Sequence, residues 1–170
     1  MLVLMVGLPG TGKSTLCHAL AECCKGVVLS KDSIRAALFE PGRVRYSSEQ
    51  DDLVQEIMMM TAAWMLREDP ALKIFFDGRT FSRNYQLAAA IAAAEKMETP
   101  WKIIECVCKP ATARARLERD LVQGTHPAKN RDLALYDRLY AEFEPITLPK
   151  LVIDTDHPLS QCVLQAMYAL

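Results

Sequence analysis

Gly7-Leu8-Pro9-Gly10-Thr11-Gly12-Lys13-Ser14-Thr15 places three glycines, a lysine and three hydroxyls within nine residues. The first eight fit G-x-x-x-x-G-K-[ST] without departure, with an apolar run before them and a helical pattern after them. Glycines let backbone N–H groups turn inward and cradle phosphate oxygens. A helix starting near Lys13 adds its positive end. The lysine of such a loop reaches the β- and γ-phosphates, and the hydroxyl after it ligates Mg²⁺. Gly7, Leu8, Pro9, Gly10, Thr11, Gly12, Lys13, Ser14 and Thr15 are therefore read as the ATP-binding loop. Lys13 is its phosphate clamp and Ser14 a metal ligand.

Acids and arginines follow at two further places. In Ser30-Lys31-Asp32-Ser33-Ile34-Arg35, Asp32 and Arg35 are three apart and share a face if a helix starts there. Asp32 could take the proton of an attacking hydroxyl, and Arg35 could hold an anionic part of the acceptor. The plainer alternative is a helix N-cap by Asp32 with a solvated Arg35. Asp77 ends the run Lys73-Ile74-Phe75-Phe76-Asp77. A carboxylate at the tip of an apolar strand beside a phosphate loop can hold Mg²⁺ directly or through water. Its plainer reading is a turn aspartate before Gly78. Arg79, Thr80 and Arg83 come next.

Arg114, Arg116, Arg119 and Arg131 flank a Gly124-Thr125-His126-Pro127 loop. Phosphoryl transfer needs cations on the developing charge, often carried by a mobile lid. Arg116 and Arg119 can face the same way and are the candidates, against a reading in which they pair with Glu118 and Asp120 on a solvated helix. His126 reads as a loop residue and not as a base.

These residues need positioning elements, and the chain supplies them in alternation. Leu2–Leu8, Val27–Ser30, Lys73–Asp77, Trp101–Cys108 and Leu151–Asp154 read as strands. Lys13–Lys25, Asp32–Phe39, Asn84–Met97, Ala111–Leu121, Asp132–Phe143 and Leu159–Leu170 read as helices. Another helix, capped by Ser47 or Ser48 and stopping before Pro70, shows Leu53, Ile57, Met60, Trp64 and Met65 at helical spacing. Strand alternating with helix predicts an α/β fold with a parallel five-stranded sheet and helices on both faces. Ligands of such sheets sit at the carboxyl ends of the strands, where the residues above fall. At 170 residues one domain is expected, residues 1–170, with a small helical lid at about 111–131.

Twenty Lys+Arg against twenty-one Asp+Glu leave a net charge of −1. That excludes a protein holding nucleic acid mainly by bulk positive charge. No apolar run approaches the ~18 residues of a membrane span, and Met1–Val6 has no basic stretch of a signal peptide. Cys17, Cys23, Cys24, Cys106, Cys108 and Cys162 form no C-x-x-C pair and fit no common zinc spacing. They read as reduced thiols of a cytoplasmic protein.

The P-loop, Ser30–Arg35, Phe75-Phe76-Asp77-Gly78-Arg79-Thr80-Phe81, the arginine-bearing helix, Asp137-Arg138-Leu139-Tyr140 and Val152–Leu159 together resemble one family. It is the P-loop kinases related to polynucleotide kinases, zeta toxins and chloramphenicol phosphotransferase. The resemblance spans nearly the whole chain and implies a three-layer P-loop NTPase fold. It also implies ATP-dependent, Mg²⁺-dependent phosphoryl transfer to a hydroxyl. In polynucleotide 5′-kinases the Asp of Asp-x-x-Arg is the general base and its Arg contacts the acceptor's phosphate, which carries over onto Asp32 and Arg35. The acid after the third strand carries over onto Asp77. Their lid has arginines four apart; here Arg119 fits the first and Gln123 takes the second, with Arg116 one turn earlier as the substitute.

The near-neutral charge favours a small-molecule acceptor over a nucleic-acid 5′ end. No protein partner is evident. The alternative is an ATP-hydrolysing switch working through a protein partner, with Pro41–Ser48 and Gly124–Asn130 as the segments that would order around the γ-phosphate. No Asn/Thr-Lys-x-Asp guanine motif is present.

Overall fold

The computed structural model describes residues 1–123 and 132–170. Its centre is the strand β1, Leu2–Val6, fully buried along its length. Alternate side chains of β1 enter two different cores, as a pleated strand dictates. Leu2, Leu4 and Val6 meet Phe76, Ile103, Met58 and Leu87 on one face; Val3 and Met5 meet Phe75, Ile104, Leu16 and Ile153 on the other. A strand wet on neither face reads as a continuous apolar run, and Leu-Val-Leu-Met-Val is one.

The other strands are β2 (Val27–Ser30), β3 (Ile74–Asp77), β4 (Trp101–Val107) and β5 (Leu151–Asp154), in spatial order β2-β3-β1-β4-β5. Every pairing is parallel. Ser30 therefore stands level with Asp77, and Val107 level with Asp154. The carboxyl ends of all five strands form one edge.

The helices are α1 (Lys13–Cys24), α2 (Lys31–Leu38), α3 (Ser48–Glu68), α4 (Asn84–Lys96), α5 (Pro110–Gln123), α6 (Leu133–Glu142) and α7 (Leu159–Met167). Helices α1 and α7 pack together on the Val3 face, while α3 and α4 bury Met58 and Leu87 on the Leu4 face. The result is a three-layer α/β sandwich with the expected five-stranded parallel sheet, the P-loop NTPase fold. A third, small core of Ala113, Leu117 and Tyr136 joins α5 and α6 beside Leu8.

Several boundaries move by a few residues. β1 stops at Val6 because Gly7, at φ 134°, already turns the chain into the loop. α1 stops at Cys24, with Lys25 in the left-handed conformation as its C-cap. α2 starts at Lys31, because Ser30 and not Asp32 accepts the capping bond from the Ser33 N–H. Ser47 caps α3.

One face assignment is corrected. Met60 is 73 % exposed and Trp64 58 % exposed, and Leu53 also faces solvent. The buried side of α3 is Val54, Met58, Met59 and Ala62, with Met65 packed at its margin. Both stripes are apolar at helical spacing, and the buried one is set by the side that packs on α2 and the sheet. Among the described residues no helix is long and apolar enough to cross a membrane.

Candidate functional site

The loop after β1 folds as its glycines require. At Gly7 an added Cβ would lie 2.3 Å from the Cys106 carbonyl oxygen; at Gly10, φ 78°, it would lie 2.5 Å from that of Ala113. The loop thus runs tight between β4 and α5, and only glycine fits at those two contacts. Lys13 is 6 % exposed, and its Nζ donates to the Leu8 carbonyl at 2.7 Å. The ammonium is held over the loop's own concavity. Thr11 Oγ1 donates to the same carbonyl at 2.8 Å.

Ser14, in the first turn of α1, donates its hydroxyl to Asp77 Oδ1 at 3.1 Å. These two residues are sixty-three apart in sequence and meet because β3 is the direct neighbour of β1. A hydroxyl and a carboxylate offer the hard oxygen donors Mg²⁺ takes, and Mg²⁺ keeps most of its waters. The pair therefore fits a nucleotide-bound Mg²⁺.

Asp32 lies in the first turn of α2, two residues beyond the end of β2, where Ser30 stands level with Asp77. Its Oδ1 accepts from Arg35 Nη1 at 3.1 Å, the i, i+3 contact the spacing predicts. Arg35, however, is only 2 % exposed. Its second terminal nitrogen pairs with Asp51 of α3, and Tyr46 covers its face at 5.3 Å. Lys31 Nζ reaches the same Asp51 at 2.8 Å. Arg79, buried over the Phe81 ring, pairs with Asp52 and donates to the Asp51 carbonyl at 3.5 Å. Three cations from α2 and the β3 loop thus converge on the start of α3. In sequence, Asp51 and Asp52 look like ordinary acids favouring a helix N-terminus. Their partners are distant, so nothing local reveals the second role.

On the other side of the P-loop, Arg116 bridges three elements. It donates to the Gly10 carbonyl at 3.2 Å, to Thr155 Oγ1 at 3.0 Å and to the Thr155 carbonyl at 2.7 Å. Thr155 in turn donates to the Thr11 carbonyl at 2.9 Å. The guanidinium fastens α5 and the end of β5 to the phosphate loop. Thr155 is a residue the motifs do not announce; its one signal is its place just past the end of β5. Arg119 is exposed and lines a cleft of about 570 Å³ with Gly12, Thr15, Arg116 and His157. A nearby exposed pair, Arg114 with Asp137, ties α5 to α6. The loop expected to complete the lid, with His126 and Arg131, lies outside the described residues.

A second cavity, of about 160 Å³, also borders Lys13. It is lined by Pro9, Lys13 and Ser14 of the phosphate loop and α1, by Asp32 and Arg35 of α2, and by Arg79, Thr80 and Ser82 after β3. Gln86 of α4 and Leu135, Arg138 and Leu139 of α6 complete the lining. Lys13 and Ser14 therefore line both cavities.

The sheet order, the glycine loop and the Ser14–Asp77 pair define a P-loop NTPase of the kinase-like architecture. A family model described as AAA domain, AAA_33, matches residues 2–146, and the chain belongs to that family. Among solved structures, a candidate kinase from Chloroflexus aurantiacus J-10-fl is similar at a TM-score of 0.76 and 22 % identity, covering 99 % of this chain and 97 % of that one. The APS kinase of Mycobacterium tuberculosis, in complex with AMPPNP and APS, follows at 0.73 and 15 %, covering 98 % and 95 %. Kti12 of Chaetomium thermophilum, in complex with ADP-AlF₃, stands at 0.70 and 15 %, covering 99 % and 98 %. At these identities the likeness is one of fold. No curated protein sequence matches the chain.

Proposed function

We propose that the protein is a single-domain kinase that moves the γ-phosphoryl group of ATP to a hydroxyl of a small molecule. The observation that carries this is the shared cavity: Asp32 lines the same 160 Å³ space as Lys13 and Ser14. A hydroxyl bound there lies between a carboxylate and the end of the phosphate loop. Its oxygen attacks the γ-phosphorus, its proton passes to Asp32, and the bond to the β-phosphate oxygen breaks to release ADP.

Lys13 holds the γ-phosphate. Ser14 and Asp77 would hold Mg²⁺, which supplies charge neutralisation to the transferring group. Arg119, facing the nucleotide cleft, is the cation best placed to close on that group. Arg116 acts by fixing the lid's base to Gly10 and Thr155. The cavity's small volume supports a small acceptor over a nucleic-acid 5′ end, as does the near-neutral chain. A cytoplasmic setting agrees with the six free cysteines.

The second reading is ATP hydrolysis coupled to a protein partner; the fold likeness extends to Kti12, solved in complex with ADP-AlF₃. Incubating the protein with γ-labelled ATP·Mg, a metabolite extract and 5′-hydroxyl oligonucleotides separates the two. Label in a small organic product is the expected result. Label only in inorganic phosphate, stimulated by an added lysate, would favour hydrolysis.

A further inference from the structure

Phosphoryl transfer needs no cation at the far end of the acceptor, yet the lining of the acceptor cavity includes an exposed one on α6. Arg138 of α6 lines that cavity with Leu135 and Leu139, about one helical turn apart on the face towards Thr80, Ser82 and Gln86. It is exposed and takes part in no ion pair among the described residues. The acids that could neutralise it are already engaged. Asp137, its neighbour, is held by Arg114, and Glu142, one turn on, is held by Arg83 at 2.8 Å.

Lys13 belongs to the phosphate loop, and the other cations of the cavity stand differently from Arg138. Lys31 and Arg35 converge on Asp51, Arg35 also on Asp32, and Arg79 on Asp52. The network at the start of α3 is thus balanced charge for charge, three cations against three carboxylates. Arg138 adds to the lining that contains Asp32 a positive charge with no carboxylate partner among the described residues.

We infer that the acceptor is a small anion, and that Arg138 binds its carboxylate or phosphate while the hydroxyl to be phosphorylated lies at Asp32. This rests on the kinase reading above and names its substrate class. A guanidinium offers the planar fork that matches such a group, and Thr80, Ser82 and Gln86 offer hydrogen bonds to hydroxyls along the way. The assignment displaces Arg35 from the anion-holding role that its Asp-x-x-Arg spacing suggests. Arg35 becomes a positioning residue that fixes the orientation of Asp32.

The test is to take the labelled product formed from a metabolite extract and γ-labelled ATP·Mg and run it on anion exchange at pH 8. A lone phosphate monoester carries about −2 there. The expected product is more anionic than that. With the purified acceptor, Arg138→Ala should raise KM about 10–100-fold, well beyond any fall in kcat, and Arg138→Lys should recover part of the loss. A product no more charged than a simple monoester overturns the inference. So does an Arg138→Ala variant that loses kcat at unchanged KM, since Arg138 would then serve the transferring group. Label on oligonucleotide ends overturns the small acceptor. Label only in inorganic phosphate overturns the kinase reading beneath it.

Discussion

A guanidinium that is 2 % exposed is costly to desolvate unless carboxylates surround it, and Arg35 has two. The spacing of Asp32 and Arg35 marks both as site residues, and their contact is the one a helix predicts. Spacing could not show Asp51 entering from α3 to share Arg35 and Lys31. Removing it leaves two cations facing each other in a poorly solvated place. Asp51→Asn should cost roughly 2–3 kcal/mol of stability, below the range for a fully buried pair because its side chain is 27 % exposed. It should also lower transfer, because Arg35 loses its anchor on α3 and can carry Asp32 out of position. Denaturant unfolding together with transfer kinetics measures both, and a variant of wild-type stability would show the network to be energetically idle. Lys13 is a simpler case, since the motif alone assigns it and the fold buries it at the head of α1. Lys13→Ala should lose nucleotide affinity or transfer for every acceptor, read by AMP-PNP titration and product formation.

At the scale of elements, the strands were legible because parallel strands buried on both faces are written as unbroken apolar runs. The ends of β2, β3 and β5 were legible to the residue, at Ser30, Asp77 and Asp154, whereas β1 ends at Val6 and not Leu8, and Ser30 and not Asp32 caps α2. The face of α3 was not legible. Leu53, Met60 and Trp64 repeat as regularly as Val54, Met58 and Ala62, and periodicity alone cannot rank two apolar stripes. Substitution can rank them. Met58→Ala should cost about 2–5 kcal/mol, and Met60→Ala less than about 0.5 kcal/mol. Equal losses in urea unfolding would put Met60 back in the core. The α5 helix is expected from composition, but its close approach to the loop is not. Gly10→Ala would drive a methyl into the Ala113 carbonyl, so it should weaken both nucleotide binding and the docking of α5. Thermal melting with and without AMP-PNP·Mg would register the two effects separately.

For the whole molecule, one topology brings every expected site residue except the lid to a single edge. Asp32 follows β2, Asp77 ends β3, the phosphate loop follows β1, and Thr155 follows β5. The core on the Val3 side of the sheet also holds Cys17 and Cys106. Burial pushes the Cys106 thiol up to about 12 from an ordinary 9.0, and Cys17 is pushed up further. Each is neutral when folded, so its contribution is fully present below pH 9 and is lost as pH rises towards 12. Stability should therefore fall with pH above 9, and the slope should flatten in a Cys17→Ala Cys106→Ala variant. A flat profile in the wild type would place those thiols in contact with water. What was not legible, the cavity lining from α6 and the Arg116 clasp on Thr155, depends on contacts across more than thirty residues that no local pattern records.

The claim on which the rest depends is that Asp32 takes the acceptor's proton. The direct measurement is the rate of phosphoryl transfer by Asp32→Ala at saturating ATP·Mg and acceptor, beside its affinity for AMP-PNP. The predicted result is a rate lower by about 10²–10⁴-fold with nucleotide affinity within about threefold of wild type. Transfer at an undiminished rate would contradict it, leaving Asp32 as no more than a partner for Arg35.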